Sequence, residues 1–370
     1  MREHGNGAHP EGVRRVTWLL ALGSIACDRA PAAETPQTPN PEAPTAAKPE
    51  PEPAAEPEPE PEPEPPGVPG GGPDPFTLDG TASTSVGSPT EGSLHGSVPL
   101  PTHGPGYVFN PRKDPQRRYG TWEMVRAVID AAGAVHEAAA GNTLVVGDLS
   151  LEHGGDINGH ASHRAGRDVD VMFYLQNPDG SPFDAKAIPI EPDGTGVDYQ
   201  DLTTADDDVP VRIDIPRTWA FVAALVGDER NHVGRIFVVE HIRTMLLAEG
   251  QRAGASEALL TRAGHLMCQP GFPHDDHMHI RFFCSPEDIE AGCLDTGPLY
   301  PWHKAYLRTA GVSATLAGPR KTPRPKLTST KDAAKKKREE VGAFDPAVDA
   351  FLERRKAWAK KPKTGRKYCR

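Results

Sequence analysis

Two clusters of histidine and aspartate, roughly a hundred residues apart, constrain this chain more than any other feature. His160, His163, Asp168 and Asp170 fall in the first; His274, Asp275, Asp276, His277 and His279 fall in the second. Each cluster flanks a strongly apolar, strand-like run, where mere solvation of a surface is a poor account of so many polar side chains. A histidine and a carboxylate from one segment, joined by a histidine from a distant strand, make a three-ligand zinc site with one position left for water. His277 and His279 are two apart on a predicted strand, so both rings leave the same face. Asp170 also falls on a predicted strand, and His163 stands in the loop before it, free to fold back over a metal. At neutral pH the imidazoles are largely neutral and the carboxylates ionised, as ligation requires.

The chain around these clusters mixes helix and strand. Met124, Val125, Val128, Ile129, Ala132 and Val135 recur at spacings of three and four, predicting a helix within 119–139 with Thr121 as its cap. A short buried strand is expected over 143–147, then a polar, glycine-rich loop over 150–166. Asp168, Asp170, Met172 and Tyr174 alternate with Val169, Val171, Phe173 and Leu175, the pattern of a half-buried strand with carboxylates on its open face. Residues 176–215 are acidic and rich in turn formers, and read as an excursion. Helices are expected over 219–226, 240–249 and 256–265, and strands over 235–239 and 278–284. These elements do not alternate as regular βαβ units, which favours an α+β domain with a small, mostly antiparallel sheet and flanking helices.

Composition separates this core from two appendages. Apolar residues make up 37% of the 370, below the usual globular range of roughly 45–50%, and the shortfall sits in the tails. Residues 1–27 read as a signal peptide, with Arg14 and Arg15 before an apolar stretch from Val16 to Ala26. Ser24-Ile25-Ala26-Cys27 resembles a lipoprotein box, which would make Cys27 a lipidated anchor; an ordinary cleaved signal peptide is the alternative. Residues 28–75 are a Pro/Glu-rich tether. Its polyproline geometry gives roughly 45 residues a reach on the order of 140 Å. Residues 76–108 read as a low-order lead-in, 109–305 as the folded domain and 306–370 as a basic tail, partly helical or disordered.

The net charge of −10 averages an acidic tether with that basic tail, so it identifies no partner. In the tail, Phe344, Val348, Phe351, Leu352 and Trp358 line one helical face, with Arg354, Arg355, Lys360 and Lys361 around it. It reads as a solvated basic tail, or as a segment drawn to an anionic wall or membrane surface. Export argues against nucleic acid as a partner. Of five cysteines, Cys284 and Cys293 are close in sequence, and Pro286 and Gly292 between them suit a turn, so these two are expected to pair. Cys268 and Cys369 have no obvious partner except each other.

Gly147-Asp148-Leu149-Ser150, followed by the stretch from Gly159 to Val171, resembles the first metal motif of the penicillin-insensitive murein endopeptidases, a histidine, six residues and an aspartate. His274-Asp275-Asp276-His277-Met278-His279-Ile280-Arg281 matches the second motif, and Arg235 to Val238 resembles the strand between them. The family belongs to a wider fold group that includes lysostaphin, D-Ala-D-Ala peptidases and the hedgehog signalling domain. The resemblance covers roughly 109–302. It implies His163, Asp170 and His279 as ligands of a single Zn2+, with His277 beside the metal to take or hold a proton and His274 as a second proton-handling residue. His160 matches a position that touches a second, peripheral metal in the family. The other residues of that site do not match here, so the resemblance leaves His160 either as a further metal contact or as a wall or supporting residue. Arg164 stands where the family usually has glutamine.

The function implied is zinc-dependent hydrolysis of peptide cross-links in peptidoglycan, of the D-alanyl–diaminopimelate type, in the periplasm. One alternative is a carboxypeptidase or amidase of the same fold group. Another is a non-catalytic wall-binding lipoprotein with a structural zinc, against which the intact His163, Asp170, His277 and His279 argue.

Overall fold

The apolar spacing of the first long helix is realised as α1 (Trp122–Ala138), whose Met124, Val125, Val128, Ala132 and Val135 are buried and whose N-cap is Thr121. The Thr121 hydroxyl accepts the Met124 amide, satisfying one of the donors that a helix start leaves open. The structure, a computed structural model, describes residues 83–139, 141–323 and 330–360. The stretches read as a signal peptide with Cys27 and as a Pro/Glu-rich tether, and Cys369, lie outside the described residues.

The described chain opens with the hairpin β1 (Thr84–Ser88) and β2 (Glu91–His95). This falls in the stretch read from composition as a low-order lead-in. Its order comes from partners distant in sequence: Arg167, 1% exposed, donates through Nε to Ser85 Oγ (3.0 Å), and the Ser85 amide donates to Asp288 Oδ1 (2.7 Å). Short strands β3 (Val98–Pro99), β4 (His103–Gly104), β5 (Tyr107–Phe109) and β6 (Tyr119–Gly120) lead into α1, and β7 (Leu144–Val146) follows it. The first aspartate-bearing strand is β8 (Asp168–Met172).

The excursion is ordered: β9 (Leu175–Gln176), β10 (Pro182–Phe183), β11 (Thr195–Asp198) and β12 (Val209–Ile213) form a four-stranded sheet in the order β10-β9-β12-β11. Then come α2 (Ile215–Gly227), β13 (Val233–Phe237), α3 (Glu240–Arg252), α4 (Glu257–Leu266), β14 (Met267–Cys268) and β15 (His277–Phe282). The main sheet has the order β14-β13-β15-β8-β7-β5-β4. Its β13–β14 and β5–β7 pairings are parallel and the others antiparallel. The fold is α+β, with a mostly antiparallel central sheet.

The register at the sheet centre positions the site. His279 stands opposite Asp170, Arg281 opposite Asp168, and His277 opposite Met172. The alternate residues Met278, Ile280, Val169 and Val171 are fully buried in the core on the other face. All five residues of β8 are buried, which corrects the expectation of a half-open strand: Asp168 and Asp170 face side chains, not bulk water.

Cys284 and Cys293 form a disulfide, as their spacing suggested, with Cα atoms 6.0 Å apart. Cys268 is disulfide-bonded as well. Beyond it lie α5 (Pro286–Glu290), α6 (Pro301–Thr309), α7 (Thr330–Val341) and α8 (Pro346–Arg355). Val348 and Phe351 of α8 are buried, and Trp358 packs against the hydrophobic core. Among the described residues, no helix is long and apolar enough to cross a membrane.

Candidate metal centre

Three atoms converge where β8 and β15 meet. His163 Nε2 lies 3.1 Å from His279 Nδ1 and 3.4 Å from Asp170 Oδ1, and the third side, His279 Nδ1 to Asp170 Oδ1, is 3.0 Å. Zinc with bonds of about 2.0–2.1 Å in a tetrahedron requires ligand–ligand edges of roughly 3.3 Å. The triangle matches that size.

Each ring is held so that its lone pair points inward. His163 has φ +67, a left-handed conformation that a residue with a Cβ adopts only when its surroundings fix it. Its amide donates to Asp168 Oδ2 (3.0 Å), its carbonyl accepts from Ser150 Oγ (2.7 Å), and its Nδ1–H donates to the Leu149 carbonyl (2.6 Å). The last bond puts the proton on Nδ1 and leaves Nε2 as the donor atom for a cation. The His279 ring presents Nε2 to Asp168 Oδ1 at 3.4 Å, turning Nδ1 to the centre.

Asp168 is 0% exposed and lies shielded from solvent beside these three atoms. Arg281 grips it through Nε (2.7 Å) and NH2 (3.0 Å). Burial opposes ionisation of Asp168, yet Arg281 and then His279 hold its carboxyl well below the usual range. Asp170 is likewise held ionised against burial by His163 and His277.

Asp170 Oδ1 is buried and has no well-aligned hydrogen bond, although the imidazole nitrogens of His163 and His279 crowd it. Two imidazole lone pairs and an anionic oxygen aimed at one point are what a cation site presents, and the residues fit a divalent metal.

A further histidine overlaps this set. The ligand atoms of His160, His163 and Asp170 all lie within 4.8 Å of one another. His160 is less committed: its Nδ1 stands 3.8 Å from Asp170 Oδ2, while its Nε2–H donates to Asp148 Oδ2 (2.8 Å). Asp148, fully buried, also accepts from Lys113 Nζ (2.7 Å). His160 therefore closes one wall of the cluster, and the tighter triangle is the one completed by His279.

The second motif supplies two further imidazoles. His277 Nε2 reaches to 3.6 Å from Asp170 Oδ1, and its Nδ1–H donates to Asp276 Oδ1 (2.7 Å). Burial alone would lower its pKa, but the carboxylates of Asp276 and Asp170 outweigh that and raise it to about 9. His274, also in a left-handed backbone conformation (φ +52), donates Nδ1–H to the Phe272 carbonyl (2.9 Å). Its ring centre lies 5.0 Å from that of His277 and 5.6 Å from that of His279. Burial, and then the neighbouring His277 and His279, lower its pKa to about 3, so it is a neutral imidazole.

All six side chains singled out from sequence, His160, His163, Asp170, His274, His277 and His279, thus meet at one place. Arg164 does not join them; it pairs with Asp156. Sequence reasoning gave no role to Arg281 or Asp276. Strand alternation was the missed signal for Arg281, two residues beyond His279 on the same face.

The chain matches the family profile described as penicillin-insensitive murein endopeptidase over residues 85–301. It belongs to that family. It is 30% identical over 226 residues to the penicillin-insensitive murein endopeptidase of Klebsiella pneumoniae, an alignment covering 60% of this chain and 73% of the relative. The Salmonella arizonae protein of the same name is 31% identical over 224 residues, 60% and 72% of the two chains. That of Yersinia pestis is 30% identical over 219 residues, 58% and 71%. In this member of the penicillin-insensitive murein endopeptidases, all six histidines and aspartates of the cluster fall inside the matched span, and helices α7 and α8 lie beyond its end.

Proposed function

We propose that the chain is a zinc-dependent endopeptidase that hydrolyses peptide cross-links in peptidoglycan, of the D-alanyl–diaminopimelate type, with His163, Asp170 and His279 as the metal ligands. The observation that carries this reading is the triangle of 3.0, 3.1 and 3.4 Å among their inward-facing atoms. When bound, zinc would supply polarisation of the scissile carbonyl and acidification of water. The residues divide the remaining work. His277, its Nδ1–H fixed by Asp276, presents Nε2 to the reacting centre and holds a proton there for a developing oxyanion or for the leaving amine. His274, neutral and with Nδ1–H committed to a carbonyl, keeps the Nε2 lone pair to accept a hydrogen bond from water or substrate. Phe272, 44% exposed beside His274, offers an apolar contact at the mouth.

The rest of the reading concerns location. Residues 1–27 direct export to the periplasm, Cys27 is lipidated, the 28–75 tether spaces the enzyme from the membrane, and the catalytic domain acts on the wall. The test is incubation of the purified protein with defined cross-linked and uncross-linked muropeptides, with and without chelator, followed by mass analysis. Cleavage of the cross-link that stops with chelator and returns with zinc is expected. Release of only a terminal residue from uncross-linked peptides would replace the endopeptidase reading with a carboxypeptidase, and activity indifferent to chelator would remove the metal from the reaction.

A further inference from the structure

The turn that carries the proton-handling histidines contains a buried aspartate whose carboxylate is paired outside the turn. Asp275, between His274 and Asp276, is 0% exposed. Its carboxylate accepts from Arg355 Nε (2.8 Å), Arg355 NH2 (2.6 Å) and the indole N–H of Trp358 (3.0 Å). Among the described residues, every hydrogen bond to that carboxylate comes from the C-terminal segment, which lies beyond the span matched by the family. The segment is fixed at further points. Gln269 Nε2 donates to the carbonyls of Trp358 (2.9 Å) and Lys360 (3.1 Å), and Arg354 pairs with Glu191 through two nitrogens (3.1 and 2.7 Å).

A buried carboxylate facing a bidentate guanidinium is well matched, and the same carboxylate left alone is strongly unfavourable. Without Arg355, Asp275 would have to swing towards water. Its backbone carbonyl is tied to the Ile190 amide (2.8 Å), and the next residue, Asp276, holds the His277 ring. Movement at Asp275 therefore passes directly to the ring that faces the metal cluster.

We propose that residues 346–360 are a strap that sets the geometry of the 272–277 turn, with Arg355 as its positioning residue, so that the C-terminal extension is part of the active-site architecture. The inference rests on the proton-handling role given above to His277. It also replaces the picture of a merely solvated tail for this stretch.

The test uses the full chain and the variants Arg355→Ala, Arg355→Lys and Arg355→Ala/Asp275→Asn. Amide hydrogen exchange reads the strap without reference to catalysis: Arg355→Ala is expected to speed exchange across 272–277 while α1 stays protected. Kinetics on cross-linked muropeptides read the consequence. A fall in kcat on the order of 10²-fold is expected, at nearly unchanged KM and zinc content. Arg355→Lys keeps the charge but not the fork and should fall between. Removing the buried charge in the double variant should recover most of the loss. Unchanged exchange at 272–277 in Arg355→Ala overturns the proposal. So does a kcat loss that only tracks lost zinc or lost folded protein and that Asp275→Asn does not relieve. Inactivity of the wild-type enzyme would instead count against the hydrolase reading and leave the exchange measurement as the judge of the strap.

Discussion

Arg281 holds Asp168 through two nitrogens, at 2.7 and 3.0 Å, directly across the ladder between β15 and β8. The carboxylate so fixed receives the backbone amide of His163 and faces the His279 ring, which makes it the common support of both imidazoles of the triangle. Carboxylates that orient metal-bound histidines commonly contribute 10–100-fold to metal affinity. Asp168→Asn keeps the shape but removes the charge. We expect zinc affinity to fall by about 10–100-fold, measured by competition with a chromophoric chelator, with activity restored at saturating zinc. Unaltered affinity would mean that the ligands are held by the backbone alone.

The division of labour between the two outer histidines is testable by separating binding from chemistry. His277→Ala and His274→Ala are each expected to retain stoichiometric zinc, because neither ring belongs to the 3.0–3.4 Å triangle. Loss of a positioned proton-transfer group typically costs about 10²–10⁴-fold in rate, and kcat should fall on that scale. Zinc analysis beside steady-state kinetics checks this, and loss of the metal in either variant would recast that histidine as a ligand.

How much of this was legible in the sequence differs from element to element. Helix α1 was legible because its apolar residues recur with the helical period and Thr121 caps it. The pairing of the two motifs followed from the ligand-type side chains that each carries and from the family resemblance of both stretches. The excursion resisted because β9 and β10 are two residues each, too short for alternation to register. The hairpin at Thr84–His95 resisted because it is held by Arg167 and Asp288, distant in sequence. The left-handed backbone at His163 left no local mark, since its cause is three hydrogen bonds from other segments. Arg355 was visible only as one basic residue among many, and its partner Asp275 only as one acid in a cluster.

Cys284 and Cys293 close a short loop at the end of β15, beside Arg167 and Asp295 in the buried network that ties the β1–β2 hairpin to the sheet. A loop of that length constrains the unfolded chain by about 2–3 kcal/mol. Cys284→Ala/Cys293→Ala is expected to lower Tm by roughly 4–12 °C while leaving zinc stoichiometry unchanged. Calorimetry with and without reductant provides the check: the double variant should no longer respond to reductant at this site.

Glu123, in the first turn of α1, gives the stability a pH dependence remote from the candidate metal centre. Burial, and then repulsion from Asp288, raise its carboxyl from 4.5 to about 7, and burial raises Asp288 itself to about 6. Between pH 4.5 and 7 the folded state therefore binds more protons than the unfolded chain, so stability falls as pH rises through that window. Below the window the protonated Glu123 adds no penalty; above it the full cost of a crowded, partly buried anion is present. Glu123→Gln removes the titration. Allowing for partial exposure of the side chain, it should stabilise the protein by about 1–3 kcal/mol at pH 8 and by almost nothing at pH 4.5. Thermal melts of both proteins across that range decide the matter: parallel curves would show that Glu123 ionises in the fold as it does in water.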